Sequence, residues 1–499
     1  MIQIALFFIL ANIAISFARD SNQHEQLDRI KRYTLIEVDT SRFESELIIE
    51  LDAYEQHYEI QLIPNNDVHP GKLKHTNGNH AEINGHPQFY THLNESCHYH
   101  GSVLNDKKSK MNWIALSLCD NRGIRGMIVA FDDTLYIKPA KTYLDLSHDK
   151  NGHGHNLNDE HLAYLSSDED YEGLPLDNHV RVSEDEKKFH DTIYPHKMDQ
   201  KRATRRRMAN NYKNLVEMVA VSDPSFTQTA QNTYTTDTWY ENLVTDLADL
   251  YNGISAEYMN QAWGSSSNGA IGEIGVAFAE IYVQFQFSGD DAELSPDFTY
   301  SNCQNMMNRD CSIDGSGYLG KLRTWVGNLI NSGKFDSTNF DDVQLWSSMN
   351  FKDAGGWGYI GTVCRGALAT ANIAAIYGEA WSIRSAAHEL GHNFDMQHDQ
   401  DTGGRCDKDS GLMGYGNTNH GFSVCSVDAL QAYFAERQGL SCLGISNKNW
   451  NIDNLPNDNT RRTNVEDPDG GVGQTDPPTT KAPTKRPTPV PTKRPTPAP

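Results

Sequence analysis

Short, mostly apolar runs that resemble β-strands alternate with polar stretches over the first 200 residues of the chain. They occur at residues 46–51, 113–118, 127–131 and 136–137. Residues 147–192 are instead rich in Asp, Glu, His, Asn and Gly and contain little to bury. We therefore predict a β-rich first domain that is followed by a loop or poorly ordered connector.

The pattern changes after residue 208, where strand-like and helix-like segments follow one another. A helical period places Trp239, Leu243 and Leu247 on one face of residues 237–259. A second helix is predicted at residues 317–330, and strands at 215–221, within 271–287 and at 342–346. We therefore predict a mixed α/β (α+β) domain over residues 208–446.

The two ends of the chain differ from both domains. Residues 2–17 are almost wholly apolar, and the small residues Ser16 and Ala18 have the spacing of a signal-peptide cleavage site. A membrane span needs about 20 residues, and no later apolar run is long enough. We therefore predict a signal peptide at 1–18, a secreted, extracellular protein and no transmembrane segment; the alternative is a buried first helix. Residues 447–499 are acidic and then rich in Pro and Thr, which predicts a disordered stalk.

The net charge of the chain argues against one class of partner, the nucleic acids. Its 499 residues carry 43 Lys and Arg against 66 Asp and Glu, a formal net charge of −23. Such a chain repels phosphates, so we expect no nucleic-acid partner. Residues 214–308 contain no Lys or Arg at all, which indicates either an acidic solvated surface or the recognition of basic substrates. Eight cysteines suit a few disulfides in a secreted protein, and Asn94 begins a glycosylation sequon.

A basic run at residues 201–207 interrupts this acidic chain. It contains Arg202, Arg205 and Arg207 and includes the Arg-x-x-Arg spacing of a processing-protease site. A solvated patch or a heparin contact is the alternative, but the run lies between the two predicted domains. We therefore predict that a processing protease cuts here and that residues 19–207 are a propeptide.

The residues that carry chemistry lie between residues 386 and 415. His388 and His392 are four residues apart with Glu389 between them, so on a helix both imidazoles reach one Zn²⁺. Glu389 points about 100° away from His388 on such a helix and is placed to act as a general base. His398 supplies a third ligand and leaves one zinc position open. The alternative is a histidine-rich surface helix.

The third ligand requires the helix to end early. His398 follows His392 by six residues, so the chain must reverse near Asp395. Such a reversal requires a left-handed residue, and Asp adopts that conformation more readily than most side chains. Met413 follows in a glycine-rich turn. It either lies beneath the zinc or serves only in ordinary packing. Tyr415 could contact the oxyanion or the metal, or be a half-buried tyrosine.

These motifs resemble those of the reprolysin (adamalysin, ADAM-like) zinc metalloendopeptidases of the metzincin clan, together with their propeptide. The resemblance covers His388–His398 with Met413 as the Met-turn, and Asp395 stands where the ADAMTS branch often has Asn. It implies a mixed, mostly five-stranded sheet with a zinc cleft. It also implies cleavage of extended polypeptide substrates that bind along an edge strand.

The resemblance also implies disulfides and a second metal. Cys97 and Cys119 both fall in the pro-segment and are expected to pair, and the family pattern adds Cys364–Cys442, Cys406–Cys425 and, by what remains, Cys303–Cys311. Glu217, Asp341 and the Cys442 carbonyl match a family calcium site, although Ile445 stands where its last side-chain ligand is expected.

Many relatives stay latent through a propeptide cysteine that binds the zinc, but no cysteine lies between Cys119 and the basic run, so this mechanism would require a free Cys97 or Cys119. We expect steric occlusion instead. The alternative is a zinc ligand from the histidines of the pro-segment, at positions 148, 153, 155, 161 and 179.

The sequence thus predicts a secreted zinc metalloendopeptidase made as a zymogen. One alternative is a non-catalytic, stalked binding or adhesion protein on a metzincin fold, against which an intact Glu389 argues. Another is an astacin-like protease, suggested by residues 413–415 but lacking that family's residues after His398. The sequence leaves the substrate and the oligomeric state open.

Overall fold

The fold was obtained as a computed structural model. It describes residues 30–37, 47–65, 68, 74–77, 97–109, 111–119, 123–140, 160–168, 178–180, 213–234, 239–267, 269–284, 289–296, 312–335, 340–351, 354–365, 370–374, 379–415, 420–437 and 443–446. The predicted signal peptide, the basic run with Arg202, Arg205 and Arg207, the sequon at Asn94 and the predicted stalk lie outside the described residues. Cys303, Cys311 and Cys442 do so too.

An antiparallel sheet of eight strands, the N-terminal sheet, is built from the region predicted to be β-rich. Its spatial order is β1-β9-β8-β7-β6-β5-β3-β2. The first ten strands of the chain are β1 (Thr34–Glu37), β2 (Leu47–Ala53), β3 (Gln56–Pro64), β4 (Lys74–Asn77), β5 (His98–Val103), β6 (Trp113–Ser117), β7 (Arg125–Ala130), β8 (Asp133–Pro139), β9 (Glu160–Leu165) and β10 (Asn178–Val180).

Both faces of the N-terminal sheet are apolar. In β6, Ile114 and Leu116 enter a core that belongs to this sheet alone, whereas Trp113 and Ala115 enter a core that is shared with the rest of the molecule. Alternate residues of a strand point to opposite faces, so buried patterns such as that of β6 indicate a sheet that is covered on both sides.

A second, mixed sheet, the central sheet, follows residue 213. Its order is β10-β18-β19-β16-β11-β14-β4, and β20 pairs with β11. Its strands from this half of the chain are β11 (Lys213–Ser222), β14 (Glu273–Val283), β16 (Asp342–Ser347), β18 (Gly356–Tyr359), β19 (Thr370–Ala374) and β20 (Gly444–Ser446), and four short strands outside it are β12 (Ser265–Ser266), β13 (Gly269–Ala270), β15 (Ser312–Ile313) and β17 (Asn350–Phe351). With β4 and β10 at its two ends, the sheet is larger than the five strands that the resemblance implies.

Helices cover both faces of the central sheet. They are α1 (Pro224–Thr233), α2 (Trp239–Met259), α3 (Gly315–Asn331), α4 (Glu379–Asn393) and α5 (Val424–Glu436). The residues of β11 alternate between two cores: Val216 and Met218 pack in the core with α2 and α4, while Val219 packs in the core with α3. This arrangement confirms the coarse prediction of a mixed α/β architecture.

The predicted elements agree with the structure except in one region. The helices predicted at 237–259 and 317–330 differ from the observed ones by one or two residues at their ends. The connector predicted over 147–192 is wrong at β9 and β10. In β9, Leu162 and Tyr164 are buried in the shared core, and buried His161 accepts a hydrogen bond from the Ile124 amide. Its polar residues therefore have partners, which composition alone does not reveal.

A helix can cross a membrane only if it is long and apolar enough to span the bilayer. Among the helices that the structure describes, none combines the length and the apolar character that a bilayer crossing requires.

Candidate metal centre

Helix α4 presents two histidines one turn apart on one face. The Nε2 atoms of His388 and His392 lie 3.2 Å from each other. The helix ends as the sequence predicts, because Asp395 adopts a left-handed φ of 71°. Its amide donates to the His392 carbonyl and the Met396 amide donates to the Gly391 carbonyl, the paired bonds of a Schellman motif.

The reversal at Asp395 returns the chain toward the helix. His398 thereby reaches the same point in space, and its Nε2 lies 3.1 Å from the Nε2 of His392. The three imidazoles are 3%, 0% and 2% exposed at 388, 392 and 398. Three side chains from a helix and the loop after it thus converge in a buried position.

The other ring nitrogens fix the orientation of each imidazole. His388 Nδ1 lies 2.7 Å from the Leu412 carbonyl oxygen and His392 Nδ1 lies 2.8 Å from the Met396 carbonyl oxygen. Because a carbonyl oxygen only accepts, these Nδ1 atoms donate and the Nε2 lone pairs face the common point. His398 Nδ1 lies 3.1 Å from the Tyr415 hydroxyl and 3.4 Å from Asp401 Oδ2.

The donor set fits a zinc ion. Four ligands at about 2.0–2.1 Å in a tetrahedron are about 3.4 Å apart, close to the Nε2 separations of this cluster. Three converging lone pairs in a buried position repel one another unless a cation lies between them. A second group, Cys97, His98 and Cys119, has suitable spacing among the described residues, but its two sulfurs form a disulfide.

Glu389 lies on α4 between His388 and His392 and under β18 of the central sheet. Its side chain is fully buried. A Cβ built on Gly358 of β18 would lie 2.7 Å from Glu389 Oε2, so only glycine lets β18 pass this close to the carboxylate. The histidine motif points to Glu389, but nothing in the sequence points to Gly358, because 31 positions separate the two residues along the chain.

The Met413 turn packs against α4 at Gly391, between His388 and His392. Met413 is fully buried, its carbonyl accepts the Asp399 amide, and the Gly414 amide donates to the Gly411 carbonyl. Asp399, directly after the third histidine, accepts hydrogen bonds from the hydroxyls of Ser423 and Ser426 at the start of α5. Asp399 was not singled out from the sequence as a site residue.

The proposed calcium ligands are only partly described. Asp341 Oδ2 accepts the Glu217 amide at 3.0 Å, and the Asp341 amide donates to the Glu217 carbonyl. The third member, Cys442, lies outside the described residues. Among those residues, Glu217 and Asp341 do not belong to a group of three metal-ligating side chains.

Two disulfides are described in full, Cys97–Cys119 and Cys406–Cys425. Cys364 is disulfide-bonded as well. Two of the pro-segment histidines that could have bound the zinc are described. His161 is buried within the N-terminal sheet, and His179 lies on β10. Positions 148, 153 and 155 lie outside the described residues.

Sequence comparisons with known proteins agree with this geometry. The sequence model described as "Reprolysin (M12B) family zinc metalloprotease" matches residues 316–446. Human "A disintegrin and metalloproteinase with thrombospondin motifs 6" is 29% identical over 171 residues, 34% of this chain and 14% of that protein. A solved structure described as "Structure of a chaperone-substrate complex" aligns at a TM-score of 0.28 and 14% identity, covering 46% of this chain and 35% of the other. Residues 316–446 thus match the reprolysin family of zinc metalloproteases, and the chain spans only 14% of the length of the human protein that it resembles.

Proposed function

We propose that the protein is a secreted, zinc-dependent metalloendopeptidase, made as a zymogen, that hydrolyses internal peptide bonds of extracellular proteins. The observation that carries the proposal is the convergence of three buried histidine Nε2 atoms beside the carboxylate of Glu389. His388, His392 and His398 would hold the zinc, which supplies Lewis-acid activation of a water molecule and of the scissile carbonyl.

Glu389 is the general base in this proposal. It precedes by three residues one histidine ligand and directly follows another, so its carboxylate lies beside the ligand face without being part of it. It takes a proton from the attacking water and then delivers a proton to the leaving amine. Its burial under β18 keeps bulk water away from the carboxylate.

The substrate is an extended polypeptide that pairs with β18. A strand at the edge of a sheet offers unpaired amides and carbonyls to such a peptide. The glycine at 358 brings this strand over Glu389, so a peptide that pairs with β18 passes close to the carboxylate. Polypeptide substrates are therefore the partners that this site suits.

Latency is explained by occlusion of the same edge. Strand β10 pairs with β18 in parallel, and His179 stands in register with Gly358. An extended substrate cannot pair with that edge while β10 occupies it. A processing protease acting between β10 and β11, at Arg202, Arg205 or Arg207, would break the covalent connection between the occluding strand and the catalytic region, so that β10 can leave β18 even while the N-terminal sheet stays in place. Calcium at Glu217 and Asp341 and a glycan at Asn94 remain parts of this proposal.

The proposal is tested with purified, processed protein and a broad peptide library. We expect cleavage that stops in the presence of a zinc chelator and returns when zinc is added. Glu389→Ala is expected to abolish cleavage while the zinc content of the protein is retained. Glu436→Gln, which changes an exposed carboxylate on α5, is the matched control and is expected to leave activity unchanged.

Two outcomes would overturn the proposal. Cleavage that is undiminished in Glu389→Ala contradicts the role of this residue. A processed protein that binds zinc but cleaves nothing in the library supports the alternative of a stalked binding protein.

A further inference from the structure

Helix α2 carries a buried carboxylate, Asp249, that contacts two residues of the N-terminal sheet. Asp249 is 5% exposed. Its Oδ1 lies 3.0 Å from His98 Nε2 on β5, and its Oδ2 lies 2.9 Å from Arg125 Nε on β7. Arg125 also donates from Nη1 to Asp246, one turn earlier on α2, at 2.8 Å. His98 and Arg125 of the N-terminal sheet thus contact Asp246 and Asp249 of α2, and we call this group of contacts the clamp.

Asn252 extends this clamp by one helical turn. Its Oδ1 accepts from Asn65 Nδ2 at 2.9 Å, and its backbone carbonyl lies 3.0 Å from His100 Nε2. Its own Nδ2 donates to the carbonyls of Tyr99 and Leu116 at 3.3 and 3.2 Å. The polar side-chain atoms of this buried amide therefore all have partners on the N-terminal sheet or next to it.

Apolar packing surrounds the clamp. Trp113, Met127 and Tyr136 of the N-terminal sheet belong to the same core as Leu243 and Leu247 of α2. A shared core of this kind is typical of a permanent interface rather than of a transient contact between domains.

The charge pattern of the chain matches this interface. Residues 214–308, which include all of α2, contain no Lys or Arg. The acids of α2 must therefore find their cations elsewhere, and Arg125 of the N-terminal sheet pairs with two of them. The structure explains part of the acidic stretch as a docking surface for this sheet.

We propose that the N-terminal sheet stays bound to α2 after the chain is cut in the basic run, so that the processed protein is a two-chain complex. The proposal rests on the proposed processing at residues 201–207. The partner of the α2 surface is the protein's own N-terminal sheet, and the polar clamp of Asp249 and Asn252 within the shared core slows its release.

The test uses the full chain with residues 201–207 replaced by the recognition sequence of a site-specific viral protease. The purified chain is cut in vitro, and gel filtration at physiological salt shows whether the two fragments elute together. Since neither catalysis nor natural processing is needed, the result is independent of the proposed peptidase activity. We expect co-elution, and fragments that separate at once would overturn the proposal.

Substitutions then test the clamp. With the C-terminal fragment immobilised, Asp249→Asn and Arg125→Gln are each expected to release the N-terminal fragment about 10- to 100-fold faster than wild type. Combined, they should accelerate release by less than the product of the two single effects, because both variants remove the ion pair between Arg125 and Asp249. Glu241→Gln, on the same helix, is the control and should match wild type.

Using a variant on each side keeps the test valid if one of them fails to fold. Rates for Asp249→Asn and Arg125→Gln equal to that of Glu241→Gln would overturn the assignment of the clamp.

Discussion

Gly391 lies so close to the sulfur of Met413 that a Cβ at position 391 would overlap it. The glycine stands between the two α4 histidines of the cluster, and the methionine belongs to the turn that packs against α4 at this point. This approach brings the helix and the turn together, and the Leu412 carbonyl of the same turn receives the Nδ1–H of His388. The packing of one glycine thus helps to orient a histidine.

Gly391→Ala is expected to destabilise the protein by about 1–3 kcal/mol, the usual cost of an added group in a well-packed core. The buried Met413 side chain must shift, and any shift of its turn moves the Leu412 carbonyl away from His388 Nδ1, so zinc affinity should fall as well. Urea unfolding and a zinc competition assay measure the two effects.

Gly320→Ala is the matched control, because Gly320 lies within α3 and a Cβ there meets no atom within 4 Å. It should stabilise the protein by about 0.5–1 kcal/mol, since alanine is the better helix residue. If Gly391→Ala also stabilises, the contact with Met413 does not constrain the site.

The left-handed conformation of Asp395 gives a second prediction. Asp395→Gly should leave stability nearly unchanged, because glycine adopts a φ of 71° without steric cost. Asp395→Ala should cost about 1 kcal/mol and weaken zinc binding, since His398 reaches the site only through this reversal. Thermal unfolding and zinc titration provide the measurements.

The exposed Asp409, which is not among the left-handed residues, is the control. Asp409→Ala should behave like wild type in both measurements. A stable Asp395→Ala variant with unchanged zinc affinity would contradict the role assigned to the turn.

Local features of this site could be predicted from the sequence. The spacing of His388 and His392 places them on one helical face, and the position of His398 required the reversal that Asp395 makes. Contacts between distant segments could not be predicted in the same way. Gly358 lies over Glu389 and Gly391 against Met413 only after the chain has folded, and neither glycine changes any local pattern.

The interface of the N-terminal sheet was missed for the same reason. His98 and Asp249 are 151 residues apart, and buried polar pairs have no hydrophobic period. The polar composition of residues 147–192 predicted a loop where β9 forms. Glu160 and His161 of β9 are buried among partners, which a count of polar residues does not show.

Tyr415 gives a third prediction that separates two roles. Its hydroxyl lies 3.1 Å from His398 Nδ1, and we propose that it orients this imidazole rather than contacting the reacting carbonyl. Tyr415→Phe should weaken zinc binding about tenfold and change kcat little when zinc is saturating. Zinc competition and peptide cleavage at high zinc provide the two readouts.

Tyr33→Phe, a change at another exposed tyrosine, should alter neither readout. A large fall in kcat at saturating zinc with unchanged zinc affinity would instead favour the oxyanion contact that the sequence suggests for Tyr415.

The fourth prediction concerns pH and Asp342, the first residue of β16. Its side chain is fully buried, and its Oδ2 has no hydrogen-bond partner among the described residues. Burial raises the pKa of Asp342 well above its ordinary value, although the hydrogen bond from the Val343 amide opposes this in part. The folded state thus favours the protonated carboxyl.

The sign of the pH effect follows from this raised pKa. The stability that Asp342 contributes is fully present below the unfolded-state pKa of about 3.9 and is lost as the pH rises through the folded-state pKa. Asp342→Asn, which mimics the protonated form, should therefore raise the Tm at pH 7 and have little effect at pH 3. Asp409→Asn, at an exposed site, should change the Tm little at either pH. Thermal unfolding of both variants between pH 3 and pH 7 is the measurement. If Asp342→Asn lowers the Tm at pH 7, the native carboxyl is ionised and stabilised by a partner, which contradicts the prediction.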